Sequence, residues 1–209
     1  MKGGTRMLLA VVCGVAVASV YAGQPVLGSM GRDLGVPAEA VGWFVGVGQL
    51  GYLLGLVLLV PLGDMLDRRR LVALHLVLLA AGLLVVATAT AAWVAFSGLA
   101  VVGMFAVVVQ TTVAYTTALS APSERGRTVG IVTSGVVIGI LGGRILAGFL
   151  ADLWGWRAIY VVLALLATAL SLVVRVRLPA DVRPGRPGTG TCSARCPGCS
   201  SIPSFSAAG

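Results

Sequence analysis

Six long apolar runs, at residues 7–28, 41–62, 71–90, 92–115, 128–150 and 158–174, leave this chain few folds to choose from. Each is close to the roughly 20 residues that a helix needs to cross the hydrocarbon of a bilayer. Membrane strands would instead alternate over about 10 residues. In lipid the backbone must satisfy its own hydrogen bonds, and an uninterrupted run of this length does so as a helix. Composition agrees: 58% of residues are hydrophobic and 11% charged, against about 45–50% and about 25% in soluble domains, and the mean hydropathy is +1.01. The expected fold is therefore all-α and integral to a membrane, with residues 1–178 as a six-helix domain. The first run follows Lys2 and Arg6, as a signal peptide would, but it is too long and lacks a small-x-small site before a soluble domain. It reads as a retained first span.

The connections fix the orientation. Gly63, Asp64, Met65, Leu66, Asp67, Arg68, Arg69 and Arg70 make the densest charge cluster between two apolar runs. So many charges do not stay in hydrocarbon, so the chain leaves the membrane there and turns back. Lys2 and Arg6, the three arginines of this turn, Arg125 and Arg127, and the tail arginines from Arg175 to Arg195 all fall on one side. Arg32 and Arg157 fall on the other. Short loops rich in Lys and Arg stay cytoplasmic, which places both termini on the cytoplasmic side of the plasma (inner) membrane. The same asymmetry accounts for the net charge of +8 and argues against nucleic acid as a partner; the bilayer itself is the expected one.

A weak repeat accompanies this topology. Gly63-x-x-x-Asp67 closes the second run and Gly148-x-x-x-Asp152 the fifth. Three spans separate them, so the second copy emerges on the opposite face, as in carriers built from inverted three-plus-three repeats. From residue 179 to 209 the composition turns to Pro, Gly, Ser, Arg, Thr and Cys, without apolar periodicity. That tail is expected to be disordered and reads like a shifted reading frame in GC-rich DNA.

Polar side chains inside the spans are the candidate transport residues, because in lipid they turn toward the bundle or a water path. They are Tyr21, Gln24, Gln49, Gln110 and Arg144, with Thr111, Thr112 and Tyr115 beside them. For any one glutamine, interhelical hydrogen bonding explains the residue equally well. Together they suggest a polar cavity between the first, second, fourth and fifth spans. Arg144 lies about six residues, ~9 Å at 1.5 Å per residue, from the expected end of its helix. It either snorkels to the surface or lines the cavity, where it would face an anionic or polar solute. His75, next to the arginine cluster, reads as an interfacial residue. No Asp or Glu falls inside a span, so proton coupling gains no support here. Cys192, Cys196 and Cys199 lack the fourth ligand that a zinc site requires. No metal site, cofactor or catalytic constellation is expected, and the chain is not read as an enzyme.

Several of these segments resemble the major facilitator superfamily. Gly63, Asp67, Arg68 and the basic pair Arg69 and Arg70 are similar to its signature between the second and third helices, although Arg70 stands where many members have Gly. Tyr21-Ala22-Gly23-Gln24-Pro25 resembles the end of the first helix in efflux members, and Gly48 to Gly55 their second helix. Arg125-Gly126-Arg127 and Gly155-Trp156-Arg157 resemble the edges of their fifth. Gly130-x8-Gly139-x3-Gly143-Arg144-x2-Ala147-Gly148 tracks the antiporter glycine signature, with Arg144 in place of Pro and Ala147 in place of Gly.

The resemblance implies one half of a twelve-helix fold, the amino-terminal one. It further implies that Gly63, Asp64, Asp67, Arg68, Arg69 and Arg70 latch the two halves in one access state. Gly130, Gly139, Gly143 and Gly148 would pack helices. The implied function is secondary active efflux of a small organic solute by alternating access, with a second six-helix half as partner. A half-size carrier working as a homodimer, or a structural membrane subunit, is the alternative. Amphipathic drugs, sugars and small metabolites suit the polar residues about equally.

Overall fold

The computed structural model describes residues 3–61 and 67–178. It contains six helical spans long and apolar enough to cross a membrane: Gly3–Asp33, Ala38–Leu59, Arg68–Ala87, Ala92–Leu119, Pro122–Trp154 and Arg157–Arg177. No strand occurs among the described residues. All six expected spans are present; the first, fourth, fifth and sixth are longer than the apolar runs, and the second and third begin three residues earlier and end three earlier. The tail, with Cys192, Cys196 and Cys199, lies outside the described residues, as do Gly63 and Asp64.

Two spans are broken. The first runs as Gly3–Tyr21, a short turn at Gln24–Val26, and Leu27–Asp33. Pro25 explains the break, since it has no N–H to give to the preceding turn. The fourth runs as Ala92–Phe105 and Val108–Leu119, and no proline stands there. Its turn tightens instead, with the Ala106 amide shared between the Val102 and Gly103 carbonyls and the Gln110 amide bonded to Val107.

Helix pairing carries the inverted symmetry. The first span packs chiefly on the fifth, the second on the fourth, and the third on the sixth. Exchanging first with fourth, second with fifth and third with sixth converts one leading pair into another and returns the last to itself. Both broken spans are partners under this exchange. The third span is the most enclosed, with 61% of its apolar window buried; in the second and fifth the figure is 17%. These last two are again symmetry partners, and they expose Leu50, Leu53, Leu54, Ile138, Leu141 and Ile145.

What holds the pairs together is small-residue contact. Lipid is as apolar as Leu, so burial of hydrocarbon gives helices little reason to associate, and close backbone approach supplies the packing instead. Along the first and fifth spans, a Cβ on Gly135 would collide with the Ala10 backbone and one on Gly139 with the Gly14 backbone; one on Gly143 would come within 2.9 Å of Ala18 Cβ. The second and fourth spans repeat the device, with Gly51 against Ala100, Gly55 against Met104 and Gly103 against Gly48. Both pairs are parallel: the contacts advance together from Gly135 to Gly143 and from Ala10 to Ala18 in one, and from Gly51 to Gly55 and from Ala100 to Met104 in the other. Of the four glycines singled out by the antiporter pattern, Gly139 and Gly143 lie in this seam. Gly130 and Gly148 do not: nothing stands within 4 Å of a Cβ on either. Stepping by four from Gly139 reaches Gly135 and Gly143 on one face, whereas Gly130 and Gly148 lie nine residues away and face out.

Polar ties close the two ends. Where the chain starts, Arg6 pairs with Glu124, joining the first and fifth spans. At the opposite end the Trp156 indole donates to Asp33 Oδ2 at 2.8 Å. Arg157 reaches the same carboxylate at 3.5 Å, donates to the Ala89 carbonyl at 2.9 Å and lies over the Trp156 ring at 4.3 Å. Gly155 makes that turn possible, since its φ of +82° is a left-handed value that a side chain disfavours.

Candidate functional site: a cleft between the paired spans

The two glycine seams bring the first, fifth, second and fourth spans together around an open cleft of about 220 Å³. Its walls are apolar, formed by Val17, Val20, Val109, Val136 and Ile140 among others, with Tyr21, Gln49, Tyr52 and Gln110 as the polar points. A few polar groups set in an apolar wall is the usual chemistry of a small-molecule site. The breaks in the first and fourth spans fall beside Tyr21 and Gln110, so both reach the cleft from helix ends rather than from regular turns.

Inside the cleft the Gln110 amide donates to the Tyr52 hydroxyl at 3.1 Å. At its edge Arg144 Nη2 donates to Gln24 Oε1 at 2.6 Å, and the guanidinium sits 5.5 Å from the centre of the Tyr21 ring. Arg144 and Gln24 do not line the cleft themselves. They form a pair behind Tyr21, which does. Gln49, Gln110 and Arg144 are exposed at positions well within helices long enough to span. Tyr52 is the residue that polarity within the spans did not single out; its place one turn after Gln49 on the same helix face was the available signal.

The structure separates the rest. Thr111, Thr112 and Tyr115 are buried and turn into the bundle, not into the cleft. Successive helical residues are about 100° apart, so the side chains after Gln110 leave its face. His75 is also buried, turned into the bundle. It lies with its ring 5.8 Å from that of Phe105, and neither ring nitrogen has a hydrogen-bond partner among the described residues. Asp67 caps the third span, accepting from the Arg69 amide at 3.0 Å, with the Arg70 guanidinium at 3.8 Å. Among the described residues no Asp or Glu is buried, and no group of His, Cys, Asp and Glu could hold a metal ion.

Comparison with known proteins adds the following. The family model of the Major Facilitator Superfamily matches residues 7–197. YgaY of Escherichia coli O157:H7, named an uncharacterized transporter, is 40% identical over 173 residues, which are 83% of this chain and 44% of that protein. SCO4007 of Streptomyces coelicolor, also named among transporters, is 37% identical over 86% of this chain and 42% of its own length. The chain thus spans less than half the length of the curated relatives it matches. Human MFSD10, solved by crystallography as an organic anion transporter, superposes with a TM-score of 0.68 at 16% identity, over 88% of this chain and 49% of that one. At that identity the likeness is one of fold.

Proposed function

The chain belongs to the Major Facilitator Superfamily, and we propose that its six helices act as one half of a carrier that exports a small organic solute by alternating access. Transporter-named relatives and a multi-pass helical fold support transport; the cleft and its surroundings are what suggest how. The observation that carries the reading is the exposure of Gln49 and Gln110 in the cleft and of Arg144 at its edge, all within helices long enough to span. A charge at the centre of a spanning helix costs about 2.5–3.5 kcal/mol on insertion scales. The cleft side is therefore met by water or protein rather than by lipid, which suits a second six-helix body lying against the second and fifth spans.

In this reading the solute rests against Tyr21, Tyr52 and the two cleft glutamines. Arg144, held by Gln24 and stacked beside Tyr21, gives the site a positive edge that favours a polar or anionic group. Efflux rests on the glycine pattern of the fifth span, of which Gly139 and Gly143 are in the seam. The turn from Gly63 to Arg70 serves as a latch between the halves, with Asp67 holding the start of the third span. Its arginines mark the cytoplasmic side, so both termini are cytoplasmic.

The test is solute export from cells by the chain joined to a complementary six-helix half. Arg144→Ala and Gln49→Leu are expected to lower it at least about tenfold, a loss equivalent to ~1.4 kcal/mol, while Leu165→Ala on the sixth span leaves it unchanged. Export by Arg144→Ala equal to that of the parent would overturn the cleft reading. Export by vesicles holding the 209-residue chain alone would mean that two copies supply the two halves.

A further inference from the structure

We propose that the groove between the start of the third span and the end of the sixth binds the headgroup of an anionic phospholipid. Among the described residues, Arg69, Arg70, Leu74 and Arg175 line an open cavity of about 390 Å³ there, which shares no lining residue with the transport cleft. Three guanidinium groups on two helices converge on one space. Of these, only Arg70 has an ion-pair partner among the described residues, Asp67 at 3.8 Å. Like charges gathered this way repel, and the arrangement gains most from a shared counter-anion. Guanidinium donors match phosphate oxygens geometrically as well as in charge.

What distinguishes a lipid from free phosphate is the surface below the groove. Leu74 is part of the groove and is 45% exposed, and Val77 and Leu84 continue its helix face away from Arg70. On the sixth span, Leu172 and Leu165 descend from Arg175 in the same way and are more than half exposed. Residues spaced by three, four or seven share one helix face. Each helix thus presents a cationic head at the membrane boundary above an apolar track. Basic groups gathered at the end of spanning helices are where anionic headgroups settle, and the two tracks give the acyl chains a continuous apolar path. This site is independent of which solute the cleft carries.

Native mass spectrometry of the detergent-purified full chain tests it, with dioleoyl phosphatidylglycerol against dioleoyl phosphatidylcholine. Phosphatidylglycerol should be retained preferentially. The double variant Arg69→Gln/Arg175→Gln should bind it more weakly by on the order of tenfold, while Arg125→Gln/Arg127→Gln, which removes equal charge on the same side, stays within about twofold. Should the first double variant not run as a single species in gel filtration, Arg175→Gln alone replaces it, with the same direction of change. Equal retention of the two lipids, or an equal loss in the control variant, overturns the proposal. Complete displacement of phosphatidylglycerol by inorganic phosphate also overturns it, since the apolar tracks would then contribute nothing.

Discussion

Replacing Gly139 by Ala puts one methyl group into a seam that has no side chain able to yield. A Cβ there would stand 2.6 Å from Gly14 Cα and closer still to the Gly14 carbonyl oxygen, whereas ordinary contact begins at 3.4 Å. All the obstructing atoms are backbone, so relief requires the first and fifth helices to part by on the order of 1 Å. A gap of that size forfeits a quarter to a half of the dispersion energy of each atom pair along the seam. Overpacking of a well-filled interior costs about 1–3 kcal/mol, and the upper half of that range applies where nothing can rotate aside. Against this, Gly→Ala inside a helix returns about 0.5–1 kcal/mol. The net expectation for Gly139→Ala is a loss of about 1–2 kcal/mol. Gly130→Ala and Gly142→Ala, with nothing within 4 Å, should show only the gain. Reversible unfolding in mixed micelles by SDS titration, followed by helical circular dichroism, reads the difference. The opposite signs at Gly139 and Gly142 are the prediction, and a Gly139→Ala protein as stable as the parent would refute the seam.

Three other substitutions can be read by the same titration. Asp67→Ala removes the cap of the third span and should cost about 1 kcal/mol, with Asp67→Asn losing much less because Asn also caps well; equal losses would mean that the Arg70 contact dominates. Asp33→Ala leaves the buried Trp156 indole N–H without its acceptor, for about 1–3 kcal/mol, and should shift Trp156 fluorescence in a protein whose other tryptophans are Phe; an unchanged spectrum would contradict the contact. His75→Leu trades a buried ring with two unpartnered nitrogens for an apolar side chain of similar bulk, and should be neutral or stabilising. A loss above about 1 kcal/mol would show that the ring is hydrogen-bonded in the membrane, through water or otherwise.

Most of the fold was legible because the bilayer imposes a length rule that each run obeys. Every connection between spans carries a turn signal or charge except the tight one at Thr90 and Ala91, and there the polar threonines suffice. Pro25 announces the break in the first span. Nothing at Ala106 and Val107 announces the one in the fourth, because a tightened turn needs no special residue. The packing glycines were half legible for a related reason. A signature spaced from Gly130 to Gly139 passes over Gly135, while the four-residue step through Gly135, Gly139, Gly143 and Ala147 follows the helix face that meets the first span. The cleft was readable as a set of polar residues but not as a shape. Tyr21, Gln49 and Gln110 do meet there, Gln24 and Arg144 pair just behind, and Thr111, Thr112 and Tyr115 turn the other way. That His75 turns into the bundle could not be read, because sequence position gives depth along the bilayer, not direction around the helix. The carboxylates are plainer: Asp33, Asp67 and Glu124 all lie at span ends, where each closes a cap or an ion pair.

The direct test of the half-carrier reading is whether the face bearing Gln49 meets water at mid-membrane depth. Single cysteines at Gln49, Gln110 and Leu165, in a chain whose native cysteines are Ser, can be challenged in intact membranes with a charged, membrane-impermeant maleimide. The expected result is labelling at Gln49→Cys and Gln110→Cys and none at Leu165→Cys, whose side chain is 66% exposed on the sixth span. If the two cleft positions stay as unreactive as Leu165→Cys, that face lies in lipid, and the cleft is no transport site.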